Sequence, residues 1–236
     1  MYDSFSNMNE QLMGVVHGVY VGVVTNNNDP EKLGRVKVKI PVIDDANALD
    51  WARVTTMMAG GKRGMFFVPE VGDEVLIAFQ MGDIGQPIVI GSLWNSKAKP
   101  PHDMDDKNNI RKMTSRAGHQ IEFDDTDNAG QIRVKTNKGQ HLTLNDKANT
   151  IELNDKDGQV TVTIKGGSQV EIKAGTNKIT LTKQGDVKIE SQKAVTIKST
   201  QVTLEATAAL KLKGGASLDL QSDGLVNIKG SMVKIN

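Results

Sequence analysis

The side chains here best suited to move a proton or hold a metal near neutral pH are four histidines: His17, His102, His119 and His141. None stands at metal-ligand spacing from another. His119 follows Gly118, His141 lies just after Gly139, and His102 sits in a proline-rich stretch, so each reads as a structural or surface residue. DDTDN (Asp124 to Asn128) brings acids together, but it lacks the spaced carboxylates and the bidentate Glu of a calcium loop, so it reads as a polar turn. AGGKRG (Ala59 to Gly64) has the look of a phosphate loop. That pattern requires Gly at position 56 and Ser or Thr at position 63, where Thr56 and Arg63 stand, so a barrel loop is the expectation. There is no cysteine, which removes thiolate and disulfide chemistry. No Glu/Asp pair is placed like a hydrolase site. The expectation is a protein without enzymatic activity and without metal or other cofactor.

What must position these residues is a chain of two modules. All nine aromatic residues lie at or before Phe123, and all six prolines at or before Pro101, so the last 113 residues have neither. A core is usually built around aromatic bulk, and the second module must do without it. The reading is an N-terminal segment over 1–13, a first domain over 14–96, a linker over 97–116 and a shaft over 117–236. The linker contains KAKPPHDMDDKNN, where proline and charge cluster. The net charge of +1 gives no strong pull toward nucleic acid or anionic membrane. No apolar run approaches the roughly 18–20 residues of a membrane span. MYDSFSNMNEQLMG lacks the basic start and apolar stretch of a secretory signal.

The first module reads as short strands. GVVHGVYVGVVT (Gly14 to Thr25) is β-branched, and NNNDPEKLG (Asn26 to Gly34) breaks it. RVKVKIPVI alternates, with Val36, Val38 and Ile40 on one face and Arg35, Lys37 and Lys39 on the other. WARVTT, MFFVPEVGDEVLIAF (Met65 to Phe79) and QPIVIGSLWN (Gln86 to Asn95) follow as further strands. Five or six strands without a helical pattern predict a small closed barrel of the OB type. Gly72-Asp73 suits a tight turn, and Gly91 marks a bulge or close approach within a strand. The aromatics fall mostly at positions expected to be buried, which argues against a nucleic-acid platform.

PEVGDEVLIAF, then GDIGQPIVIGSLWN, with DPEKLGRVKVKIP before them, is similar to the OB domain of contractile-tail central spikes. That family includes the phage baseplate assembly protein V, the phage cell-puncturing spikes and the VgrG proteins. RKMTSRAGHQIEFDDTDNAGQIRVKTNKGQHLTLND (Arg111 to Asp146) resembles the start of the family's shaft.

After it, apolar pairs recur: Ile121/Phe123, Ile132/Val134, Leu142/Leu144, Ile151/Leu153, Val160/Val162, Val170/Ile172, Ile179/Leu181, Val187/Ile189, Val195/Ile197, Val202/Leu204, Leu210/Leu212, Leu218/Leu220, Val226/Ile228 and Val233/Ile235. The first intervals are nine to eleven residues, and from Val170 they settle at seven to nine. Such a period marks a repeat architecture. Each unit is one short strand with a narrow apolar face that it cannot bury alone. A single-chain β-helix uses longer coils with a fuller interior. Two inward residues per unit suit three chains wound into a triangular prism, whose narrow axis favours Val, Ile and Leu. The fold expected is therefore all-β: an OB barrel followed by an intertwined triple-stranded β-helix in a homotrimer. The expected trimer core is Val170, Ile172, Ile179, Leu181, Val187, Ile189, Val195, Ile197, Val202, Leu204, Leu210, Leu212, Leu218, Leu220, Val226 and Ile228. At about 4.8 Å per layer such a prism would be on the order of 65 Å long. Lys188, Glu190, Thr196, Lys198, Thr203 and Glu205 read as solvated outer surface.

The resemblance implies a membrane-puncturing spike at the centre of a baseplate, in a phage or phage-tail-like particle. It implies a homotrimer docked on a separate hub protein, tipped by a small PAAR-type protein, and driven into the target cell envelope. Some relatives carry a lysozyme domain between barrel and shaft, and the short linker here leaves no room for one. Others carry an iron-binding His-x-His pair near the tip, which KGSMVKIN lacks. The apolar end, Met232, Val233, Ile235 and the last residue Asn236, is the expected tip-protein contact. The rival readings are a trimeric tail fibre or adhesin, and a carbohydrate-binding tailspike. The second would need acidic pairs and aromatic platforms on the shaft.

Overall fold

In the computed structural model residues 15–235 are described; the expected N-terminal segment 1–13 and the tip residue Asn236 lie outside them. The chain divides into two compact units, one through Ile189 and one from Glu190.

The first unit begins with a closed barrel. Its strands are β1 (Val19–Asn26), β2 (Lys37–Lys39), β3 (Arg53–Val54), a small hairpin of β4 (Ala59–Gly60) and β5 (Arg63–Gly64), β6 (Glu74–Phe79) and β7 (Pro87–Leu93). The sheet order is β2-β1-β6-β7-β3, with β3 parallel to β7 and the other pairs antiparallel. A bridge between Val36 and Ala52 joins the two ends and closes the barrel. That is the OB arrangement, and closure removes the free edges. The alternation read from the sequence holds: Val36 and Val38 are fully buried and Ile40 is 2 % exposed. Val24, Ala52, Val75, Ile77, Phe79 and Val89 complete the core. Gly22 is required there, because a Cβ on it would lie 2.5 Å from Ile77 Cδ1 and 2.8 Å from the Lys39 carbonyl oxygen. In β7 the pairing skips Ile90, between Val89 and Gly91, which gives the bulge that Gly91 suggested.

Two expectations for the barrel are corrected. Met65 to Asp73 is not strand; β6 begins at Glu74. The aromatics are mostly outside the core. Phe79 is buried and Tyr20 packs edge-on against it at 5.8 Å, but Phe66 is 81 % exposed and Phe67 and Trp94 are each 70 % exposed. The pattern of polar neighbours around Phe66 and Phe67 was too irregular to show this, since MFFV is a continuous apolar run. AGGKRG forms the β4–β5 hairpin.

Nine further strands follow: β8 (Ile110–Thr114), β9 (Gln120–Asp124), β10 (Gln131–Lys135), β11 (His141–Asn145), β12 (Thr150–Asn154), β13 (Val160–Lys165), β14 (Gln169–Ala174), β15 (Asn177–Thr182) and β16 (Val187–Glu190). They form one sheet in sequence order, an antiparallel meander. β8 lies within the stretch read as linker. Only residues 94–109 separate β7 from β8. The hydrogen bonds of this sheet run between successive strands, and this run of antiparallel strands is consistent with the β-helical shaft expected from the repeat. The physical reason is visible in the turns. Residues such as Thr136–Gly139 and Asp146–Asn149 close tight reversals, with the Gly139 N–H bonded to Thr136 O at 3.0 Å and the Asn149 N–H to Asp146 O at 3.2 Å. The second unit starts at the last residue of β16, and among its described residues no further strand follows, only bends between the apolar pairs.

Candidate assembly surface

The register of the meander decides which side chains share a face. Directly opposed residues of an antiparallel pair point the same way. One apolar column therefore runs Met113, Ile121, Val134, Leu142, Leu153, Val162, Ile172 and Ile179. A second runs Phe123, Ile132, Leu144, Ile151, Ile164, Val170 and Leu181, headed by Arg111. β13 supplies Val162 and Ile164 to the columns, not the pair Val160/Val162 read from spacing alone. Both columns stand open. Ile151 is 41 % exposed, Leu153 50 % and Ile172 43 %. At roughly 1 kcal/mol for each half-exposed apolar side chain, covering the eleven column residues that are more than a third exposed is worth on the order of 10 kcal/mol per chain. That is comparable to the whole stability of a typical domain. An apolar face of this length marks an interaction surface.

The other face is polar and more sheltered. Its central column is Lys112, Glu122, Arg133, Thr143, Glu152, Thr163, Glu171 and Thr180. Lys112 Nζ lies 3.1 Å from Glu122 and Arg133 reaches the same carboxylate at 3.9 Å, while Lys178 sits 3.7 Å from Glu171. Thr143 is buried. Long polar side chains laid across the strands cover this face from within the chain.

Of the residues expected to line a trimer core, Val170, Ile172, Ile179 and Leu181 share the apolar face, and Val187 and Ile189 lie on β16. Val195, Ile197, Val202, Leu204, Leu210, Leu212, Leu218, Leu220, Val226 and Ile228 fall in the second unit, each between 47 % and 70 % exposed. Met232, Val233 and Ile235 are 74 %, 52 % and 91 % exposed. Met113 and Ile164 were missed, though β-branched spacing at Ile164 offered a signal.

The barrel is tied to the sheet within the first unit. Arg116, in the β8–β9 turn, donates to Glu70 at 3.1 Å, and Glu70 also accepts from Asn27 at 3.3 Å. The loop between β1 and β2 is organised by Asp29, whose side chain is only 3 % exposed. It accepts from Arg35 Nη2 at 2.8 Å and Nε at 3.1 Å, and from the N–H groups of Glu31, Leu33 and Arg35. The Arg35 guanidinium, aided by those N–H groups, holds the Asp29 carboxyl well below the usual carboxylate range, against the opposing pull of burial. Arg35 and Lys37 flank Trp51 at 5.9 and 5.5 Å from its ring centre. This bidentate pair was missed in the sequence, where DPEKLGR reads only as a turn. Asp124 is also held low, by Thr126, which turns DDTDN in on itself. Among the described residues, no group of three or more His, Cys, Asp or Glu side chains is placed to hold a metal ion.

Residues 20–94 match the model of the type VI secretion system/phage-baseplate injector OB domain. The type VI secretion system spike protein VgrG1a of Pseudomonas aeruginosa is 26 % identical over 153 residues, 58 % of this chain and 24 % of the relative. VgrG5 of the same organism is 29 % identical over 138 residues, 55 % of this chain and 16 % of the relative. These matches support a resemblance to the VgrG-like baseplate spike proteins. The actin cross-linking toxin VgrG1 of Vibrio cholerae is 29 % identical over 114 residues, 44 % of this chain but 10 % of that protein. This VgrG-like chain thus spans about a quarter or less of the length of the curated relatives it matches. Its OB barrel is the part that carries the family match, and the open apolar columns follow directly after it.

Proposed function

We propose that this chain is the structural, membrane-puncturing spike at the centre of the baseplate of a contractile injection apparatus. It works as a homotrimer. The barrels dock on a hub protein, and the shaft carries a PAAR-type tip and is driven into the target cell envelope. The observation that carries this reading is the double apolar column of the meander, with most of its side chains open in a single chain. Three such faces turned toward a common axis bury one another, while the polar faces with their ion pairs look outward. Similarity to VgrG spike proteins supports the same role. Function is then mechanical: a sheet paired along its backbone and closed by its copies resists axial load, and unfolds slowly. The role needs no catalytic group, and the chain is proposed to act without enzymatic activity or cofactor. The exposed end at Met232, Val233 and Ile235 is the surface offered to the tip protein.

Mass measurement in solution tests the reading. A heat- and SDS-resistant species at three times 25.6 kDa is expected, and a stable 25.6 kDa monomer overturns it. Binding of a purified cognate tip protein, lost on Ile235→Asp, tests the tip contact.

A further inference from the structure

The two poles of the barrel differ in character. β1 ends, β6 begins and β7 ends at one pole, since Val23 pairs with Glu74 and Glu74 with Leu93. The sheet joins the barrel at that pole, where Arg116 meets Glu70. Phe66 and Phe67 line one cleft there with Thr114, Ser115 and Arg116. A Cβ on Gly34, in the β1–β2 loop, would lie 3.2 Å from Phe66 Cε2. Trp94 follows the end of β7 at the same pole. Phe66, Phe67 and Trp94, the aromatic side chains that the barrel leaves 81 %, 70 % and 70 % exposed, therefore stand together at the base of the shaft. Cations accompany them. Lys62 and Arg63 form the tip of the β4–β5 hairpin, and Lys32 lies in the β1–β2 loop. All three are exposed, and among the described residues none is in an ion pair. The other pole carries exposed Asp44, Asp45 and Asp83, and among the described residues no exposed aromatic side chain. The net charge of +1 averages this polarity away.

We infer that the shaft-side pole of the barrel is a lipid-binding collar: Phe66, Phe67 and Trp94 enter the interfacial zone of a bilayer, and Lys32, Lys62 and Arg63 hold anionic headgroups. This rests on the membrane-puncturing reading and adds to it a site that seats the spike once the shaft has passed. Aromatic rings are enriched at the boundary between headgroups and acyl chains, where one edge is apolar and the other wet. Cations beside them complement the negative surface of an anionic leaflet, within the Debye length over which that surface acts. The pairing of the two on one small hairpin and its neighbouring loops is the pattern of an interfacial anchor. Position favours lipid over a protein as the occupant. The face lies on the side from which the shaft leaves the barrel, so a shaft driven through a bilayer brings this face to the headgroups. Met57 and Met58, 88 % and 54 % exposed beside the hairpin, add flexible apolar side chains that suit a surface of no fixed shape.

Trp51→Phe in the full chain leaves Trp94 as the one tryptophan, a reporter placed in the collar. This protein is mixed with vesicles of phosphatidylcholine, with and without added phosphatidylglycerol. With the anionic vesicles, Trp94 emission is expected to shift to the blue, acrylamide quenching to fall and the protein to float, less so as salt is raised. Phe66→Ser with Phe67→Ser should cut flotation by about tenfold or more. Lys62→Glu with Arg63→Glu should abolish the preference for anionic vesicles. Both pairs of substitutions lie on exposed side chains, and an unchanged near-ultraviolet signal checks that the barrel is intact. A trimer that neither floats nor shifts its Trp94 emission overturns the inference. So does flotation that survives both pairs of substitutions, since another apolar surface is then binding. Trp94 already shielded from acrylamide in the vesicle-free trimer overturns it as well, because a neighbouring copy then covers the face. Capture of a purified hub protein that depends on Phe66 and Phe67, without vesicle binding, gives the face to a protein partner and overturns it too. A wild-type chain that is monomeric by mass defeats the trimeric spike reading itself, and is told apart from these failures by that mass.

Discussion

Around β2, Val36, Val38 and Ile40 are sealed from solvent, whereas in β12 Ile151 and Leu153 stand 41 % and 50 % open. The local pattern is the same in both places: β-branched and aliphatic residues alternating with polar ones. The difference is closure. In the barrel the Val36–Ala52 bridge brings the last strand back to the first, so one chain encloses its own interior. The meander runs on, strand after strand, and never meets itself. Its polar face is covered by its own long side chains and its apolar face is left for something else. A repeat that leaves the same stripe open at strand after strand supports the proposed association of copies.

The largest expected effect therefore comes from charging that stripe. Leu144→Asp would place a carboxylate in each copy at the proposed axis, where burial of an unpaired charge costs several kcal/mol per chain. Trimer is expected to fall at least 100-fold, read by light scattering, while the barrel keeps its near-ultraviolet signal. Val195→Asp should do the same nearer the C-terminus. Thr163→Ala, on the other face, should leave the mass unchanged. A stable Leu144→Asp trimer would mean that the faces are assigned the wrong way round.

Next in size is damage to the closed interior. Ile77 is fully buried beside Gly22. Ile77→Ala should destabilise the barrel by about 2–5 kcal/mol, seen as a lower first thermal transition. Because the barrel closes within one chain, the mass of the assembly at room temperature should not change. If Ile77→Ala dissociates the trimer, the barrel is not the self-sufficient part.

The contrast also explains what could be read in the residues. Val36, Val38 and Ile40 announced their shared face because one period-two alternation sufficed. The pairs from Ile121 to Ile189 announced strands and, apart from Val160, an open stripe for the same reason. The meander was hidden because spacing alone does not say whether a strand pairs with its own chain; that lies in the φ of single turn residues such as Asn128 and Asn149. Phe66 and Phe67 were misplaced because an unbroken apolar run fits a buried strand and an exposed loop equally. Asp29 and Arg35, six residues apart across a turn, meet only through the loop's full three-dimensional path.

A smaller effect follows from that pair. The folded carboxyl of Asp29 titrates below its unfolded value, so its contribution is complete above about pH 4. It is lost as pH falls toward the depressed folded value. Asp29→Asn should lower the barrel's thermal midpoint at pH 7. Between pH 4 and pH 2 the gap from wild type should narrow, since only the wild type loses a charged partner for Arg35. A gap that widens with acid would show that the carboxylate does not organise the loop.

The smallest effect belongs to the polar face of the sheet, and it probes the comparison from its weaker side. Glu122 lies between Lys112 at 3.1 Å and Arg133 at 3.9 Å, with its side chain 20 % exposed. If that face looks outward in the assembly, water and salt screen these pairs, and each is worth about 0.2–1 kcal/mol. A double-mutant cycle of Lys112→Met and Glu122→Gln should give a coupling in that range that shrinks further in 1 M salt. A coupling well above it, insensitive to salt, would place these charges in a dry interface. The polar face would then be the one turned toward the neighbouring copies, and the apolar columns would need another cover.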